Sequence, residues 1–219
     1  MRWLPALAAL VMLGGCDRFL GLTTQQLPDA GTCLGDNFDD NSIDTVRWNA
    51  FAQNGQTVIE QNQRLEIALA SPAAVSFSGV LANEPLGHDE IAQVEVIQPA
   101  TQAQTQVELQ LYFDDNNFGQ ILQETNKLTF IANNAGVPDM VAIGFVASEH
   151  RFWRLQFTGT TYYFWTSRDG ATWIKQHTVN AQLPGVPSTI LAAGQIAVVP
   201  APGIVALDNY EIVTAGCQL

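Results

Sequence analysis

Apolar and polar residues alternate along most of this chain. In residues 64–70 ("RLEIALA"), Leu65, Ile67 and Leu69 take one side, and Arg64 and Glu66 the other. In "QVELQLYF", Val107, Leu109, Leu111 and Phe113 oppose Glu108, Gln110 and Tyr112. In "QVEVI", Val94 and Val96 oppose Glu95. A period of two marks strands with one buried face. Further strands are expected near 75–81, 119–123, 127–132, 141–146, 195–199 and 205–213. The breaks carry turn chemistry: "DDNN", "NNAGVPD", "TGTT", "SRDGA" and "PAPG". Beyond the first residues, no stretch shows a helical apolar period. Roughly a dozen short strands closed by turns predict an all-β, antiparallel two-sheet sandwich.

The densest aromatic stretch, "RLQFTGTTYYFWTSRDGATW", begins at Arg154. Gly159 and Thr160 suit a two-residue type II′ turn, which wants glycine first. Counting outward pairs Phe157 with Tyr162, Gln156 with Tyr163, Leu155 with Phe164 and Arg154 with Trp165. Trp153, Leu155, Phe157, Tyr162 and Phe164 then share an apolar face, which is core. Arg154, Gln156, Tyr163 and Trp165 share the other. Flat rings beside amide and guanidinium donors are the composition of a sugar site. The same residues also suit a cross-strand cation–π pair of Arg154 over Trp165 with no ligand. A register slip of one residue would exchange the two faces. The direction of Trp173 depends on the length of the second turn.

Composition places the chain. Hydrophobic residues are 47% of the 219 and charged residues 14%, enough to bury a sizeable core. Lys and Arg number 9 against 21 Asp and Glu, a formal net charge of −12, so nucleic acid is excluded as a partner. The first residues, "MRWLPALAALVMLGGC", hold one cation and an apolar run from Leu4 to Leu13. That run is about half the roughly 20 residues a bilayer span needs, so it reads as a signal sequence. "LGGC" resembles the lipobox of bacterial lipoproteins. The resemblance implies a signal peptide over 1–15, an acylated Cys16 followed by a tether over 16–31, and one domain over 32–219. The partner is then a bacterial membrane, held through the lipid anchor on its periplasmic or outer surface. The other reading is an ordinary signal peptide with an incidental cysteine. Asp17 favours the inner membrane in enterobacteria, but the choice of membrane stays open. Of the three cysteines, Cys33 and Cys217 remain. Export to an oxidising compartment predicts a disulfide between them; free thiols are the alternative.

"DNFDDNSIDTVRWNAF", "GQTVIEQNQRLEI", "LYFDDNNFGQILQETNKLTF", "FWRLQFTGTTYYFWTSRDGATW" and "VALDNYEIV" together resemble the concanavalin A-like lectin/glucanase jelly roll. The match runs from about 36 to 213. It implies that fold, in a superfamily of lectins, glycoside hydrolases, lyases and protein-binding modules. "SRDGATW" is also similar to the Asp-box of sialidases, one residue short, and that box is a folding hairpin. The glucanase signature E-x-D-x-x-E is absent, which argues against an enzyme. The nearest substitute is Glu95 with Glu108, if their strands are neighbours and bring the carboxyls to the roughly 5 Å of a retaining pair. No cofactor is expected except a candidate structural calcium on Asp36, Asp39 and Asp208, a region where several relatives hold one; the "DDNN" turn is the alternative. His88, His150 and His177 show no zinc spacing. The expected function is non-catalytic carbohydrate binding by Arg154, Gln156, Tyr163 and Trp165 on a concave sheet face. The alternatives are an envelope interaction module and a hydrolase using Glu95 and Glu108. A groove around Trp165 and Tyr163 would favour the first.

Overall fold

The alternation becomes 15 strands among residues 34–71, 75–183 and 185–214, which a computed structural model describes. In chain order they begin with β1 (Leu34–Asp36), β2 (Trp48–Phe51), β3 (Thr57–Gln61), β4 (Arg64–Ala68) and β5 (Ser76–Pro85). Next come β6 (Ile91–Gln98), β7 (Thr105–Asp114), β8 (Asn117–Glu124), β9 (Lys127–Asn134) and β10 (Val137–Gly144). The last are β11 (Phe152–Phe157), β12 (Thr161–Ser167), β13 (Trp173–Asn180), β14 (Ser188–Gln195) and β15 (Ile204–Val213). Cys16, Cys33 and Cys217, and with them the anchor and the disulfide, lie outside the described residues.

The strands form two antiparallel sheets. An eight-stranded sheet runs β13-β12-β11-β6-β15-β4-β3, with β1 also on β15; a seven-stranded sheet runs β10-β9-β8-β7-β14-β5-β2. Each sheet turns its apolar residues inward, as the period of two requires. Leu65 and Ile67, Val94 and Val96, and Val107, Leu109 and Leu111 are all buried. The centre of the core is aromatic. Trp153, Tyr162 and Phe164 from the eight-stranded sheet are wholly buried, and Phe164 meets Phe130 from the other sheet with ring centroids 6.0 Å apart. Gly119 is needed opposite them. A Cβ there would lie 2.5 Å from the Tyr162 ring.

Asp36 joins the sheets at one end. Its carboxylate accepts Trp48 Nε1 at 2.8 Å and the backbone N–H of Phe38 at 3.0 Å. Trp48 in turn packs edge-on against Tyr210, with centroids 4.9 Å apart.

Two expected boundaries moved. The strand expected at 141–146 begins at Val137, because the turn needs only Ala135 and Gly136, both with positive φ. Pro138 fits there because β10 is an edge strand. The strand expected at 195–199 is instead β14, "STILAAGQ", ending where it was expected to begin. Its Ala, Gly and Ser residues carry little alternating signal, yet it is central to its sheet.

The hairpin register holds. Phe157 pairs with Tyr162, Gln156 with Tyr163, Leu155 with Phe164 and Arg154 with Trp165. Thr158 N–H donates to Thr161 O at 3.1 Å across the Gly159–Thr160 turn. Gly159 has φ +84, and a Cβ on it would sit 3.3 Å from the His88 ring. We expect Gly159→Ala to lower unfolding stability by about 1–2 kcal/mol, the cost of left-handed backbone for a residue with a Cβ. Urea unfolding followed by circular dichroism measures it; an unchanged midpoint would contradict this account of the turn.

Candidate functional site

The outward residues of β11, β12 and β13 form the candidate site. Arg154, Gln156, Tyr163 and Trp165 all face outward and are half-buried, as expected from the hairpin. Tyr163 and Trp165 sit two residues apart on β12, their rings 21° from parallel with centroids 5.6 Å apart. Lys175 Nζ lies 5.1 Å from the Tyr163 ring centre.

Trp173 is the residue that sequence reasoning left open. β13 pairs Ser167 with Trp173, which puts the ring on the same outward face as Trp165. The second turn is built as a hydrogen-bonded cage. The Asp169 carboxylate accepts the N–H groups of Ala171 and Thr172 at 3.0 and 2.7 Å, and Ser167 Oγ accepts that of Gly170 at 3.0 Å. Trp173 Nε1 closes the cage by donating to Gly170 O at 2.9 Å. "SRDG" therefore works as a turn, and it aims Trp173. The Arg154 guanidinium stands over Trp173, 3.8 Å from the ring centre. The expected cross-strand cation–π partner was Trp165. The guanidinium takes the Trp173 face, while Trp165 lies against Tyr163.

A hydrogen-bond chain leads from the rings across the sheet. Arg154 Nε donates to Gln93 Oε1 at 2.6 Å, and Gln93 Nε2 donates to Glu211 Oε2 at 3.2 Å. Two residues along β6, Glu95 pairs with Arg151 and accepts Asn209 Nδ2 at 2.6 Å. Gln156 is turned elsewhere, donating to Asp89 O at 2.9 Å.

The structure separates Glu95 from Glu108. Glu95 lies on β6 of the eight-stranded sheet and Glu108 on β7 of the seven-stranded one. Their inward neighbours are core on both strands, so the two carboxylates face away from each other across a sandwich about 10 Å thick. They cannot flank one glycosidic bond. The sequence showed two alternating strands but not that consecutive strands belong to different sheets.

The calcium set also divides. Asp36 is committed to Trp48, while Asp39 and Asp208 face another cavity. Among the described residues, no group of three or more His, Cys, Asp or Glu side chains gathers as metal ligands. None of three surface cavities among the described residues is lined by Tyr163, Trp165 or Trp173, so the expected groove is not at these three places.

Strand order, sheet pairing and core define a concanavalin A-like jelly roll. No family model matches the chain, and no curated protein does. Solved structures share the fold. One is a beta-1,3-glucanase from Mycobacterium marinum, with a TM-score of 0.63 and 16% identity over 84% of this chain and 100% of that one. Another is a lichenase derived from a mouse hindgut metagenome, at 0.60 and 12% over 82% and 98%. A third is a pseudo beta-1,3-glucanase of Mycobacterium tuberculosis, at 0.62 and 16% over 84% and 100%. Identities this low establish the fold alone.

Glu108 itself is unusual. Burial pushes its carboxyl from an ordinary 4.5 up to about 7, against the opposing effect of the Gln120 amide that donates to it. The folded protein therefore keeps a proton that the unfolded chain releases above about pH 4.5. Stability from this group is full below that pH and is lost as pH rises towards 7, by about 3 kcal/mol. Glu108→Gln should remove this slope and raise stability at pH 8 relative to the parent. Urea unfolding at pH 5 and pH 8 tests it; an unaltered pH dependence would refute the assignment.

Proposed function

We propose that this protein is a carbohydrate-binding jelly roll held on a bacterial membrane by an acylated Cys16. The observation that carries the binding reading is the row of Tyr163, Trp165 and Trp173 beside Arg154 and Gln93 on one outward sheet face. Half-buried rings offer flat apolar surface to the C–H faces of a sugar. The guanidinium and amide beside them supply donors for hydroxyls. The similarity to glucanase folds supports a glycan as the ligand class. Tyr163 and Trp165 are the platforms, and Arg154 and Trp173 act as one stacked unit at its edge.

A second reading, a protein-interaction module, is favoured by one feature. The edge strand β10 exposes Val137, Met140 and Val141, and Ile174 is exposed on the edge strand β13. The two readings predict opposite results on a glycan array.

The purified chain should bind an array of bacterial and plant glycans. Trp165→Ala should weaken binding about tenfold, or about 1.4 kcal/mol, without changing the far-ultraviolet circular dichroism. Absence of any glycan signal, or affinity indifferent to Trp165→Ala, would refute the platform. The anchor is tested separately: Cys16→Ser should abolish incorporation of radiolabelled palmitate, and persistent labelling would rule the lipobox reading out.

A further inference from the structure

Charge is spread unevenly along this acidic chain. Lys and Arg number 9 against 21 acids overall, yet residues 151–175 hold Arg151, Arg154, Arg168 and Lys175 against one acid, Asp169. The same segment carries Tyr163, Trp165 and Trp173. The ring platform is therefore the place where the sign of the surface reverses.

Two of these cations are uncompensated. Arg151 pairs with Glu95. Arg168 stands beside Asp169, whose carboxylate also holds the N–H groups of its turn. Arg47, Arg64 and Lys127 elsewhere each have a carboxylate partner too. Among the described residues, neither Arg154 nor Lys175 enters an ion pair. Lys175 is exposed, with its Nζ 5.1 Å from the Tyr163 ring centre. Arg154 is fixed in place by the Trp173 ring against its guanidinium and by Gln93 at its Nε. The remaining guanidinium N–H groups are thus preorganised for a ligand, at little further entropic cost.

The register sets these two cations on either side of one ring. Trp165 pairs with Arg154 on β11 and with Lys175 on β13. Neighbouring strands lie about 4.8 Å apart, so each cation starts one spacing from the indole. Further across the sheet, Arg154 pairs with Gln93 on β6, and Gln93 with Glu211 on β15. The row Lys175, Trp165, Arg154, Gln93, Glu211 is cationic around the ring, neutral at the amide and acidic beyond it. Two cations beside one ring repel each other, and an anion between them relieves this. A guanidinium edge matches the plane of a carboxylate.

Resting on the glycan-binding reading above, we infer that the platform selects a glycan with an acidic unit: a uronic acid stacks on Trp165, its carboxylate held by Arg154 and Lys175. Neutral units continue across the strands towards Gln93, whose amide meets hydroxyls. Glu211 repels a second carboxylate there, so a chain charged at every unit fits poorly. Single-stranded nucleic acid, which would also stack on rings, is disfavoured for that reason and by the net charge of −12.

Calorimetry of the purified full chain tests this with short xylo- and gluco-oligosaccharides, each carrying a single glucuronic acid, beside the same molecules as methyl esters. Esterification removes the charge and keeps the sugar ring. At low salt the acids should bind about tenfold more tightly than their esters, and the margin should shrink as salt is added. Lys175→Gln should reduce the margin to about threefold, and Lys175→Arg should restore it. Lys127→Gln, on the other sheet, should leave it intact. Trp165→Ala should weaken acid and ester alike. Equal affinities for acid and ester in the parent, or a margin indifferent to both Lys175→Gln and Arg154→Gln, would overturn the acidic-unit inference while leaving the ring platform standing. An oligothymidylate that binds as tightly as the acids would also overturn it, by marking a site for any polyanion. Binding of no oligosaccharide, acid or ester, would sink both readings together.

Discussion

The register of one hairpin decides what this surface is made of. Gly159 and Thr160 close the β11–β12 turn in two residues, and every pairing outward follows from that closure. With this register Trp153, Tyr162 and Phe164 enter the core. Arg154, Tyr163 and Trp165 are then forced outward, because successive side chains alternate. A loop one residue longer would bury an arginine and expose the core aromatics. The buried face is strong enough to hold the register, since each of those rings is wholly excluded from water and worth several kcal/mol. The candidate site therefore costs the fold little: its positions are outward by necessity.

Much of this was readable along the chain because the signals were local. Alternation within 64–69, 94–96 and 107–111 gave the strands, and the "TGTT" turn gave the hairpin register. What escaped was non-local. Nothing in "QVEVI" or "QVELQLYF" says that β6 and β7, joined by a short loop, lie in different sheets. That single crossing removed the Glu95–Glu108 pair. β14 was missed for another reason: Ala192, Ala193 and Gly194 are small because neighbouring strands and rings press on them, so their burial leaves no alternating signature. A Cβ on Gly194 would meet the Phe77 ring at 2.5 Å.

Trp173 shows the limit at the scale of one side chain. Its direction depended on how many residues the Ser167–Asp169 cage consumes, and no periodicity reports that count. Once the cage is seen, the ring's role follows, because Trp173 becomes the floor under Arg154. Asp36 makes the converse point. Its run of neighbouring acids suggested a cation, yet its carboxylate serves an indole N–H and a backbone N–H. An acidic cluster in sequence does not say which members are already engaged.

The same physics explains how folds at 12–16% identity to this chain can superpose so well. A sandwich constrains its inward positions to be apolar and to fill the space between the sheets. It asks of its outward positions only that they be soluble. Chemistry placed on the outward face can therefore change without disturbing the core. Local departures from regular pairing extend this freedom. Where β15 loses register beside β6, Asp208 and Asn209 stand at the wall of a surface cavity. Regular alternation builds a platform, and an irregular step departs from it.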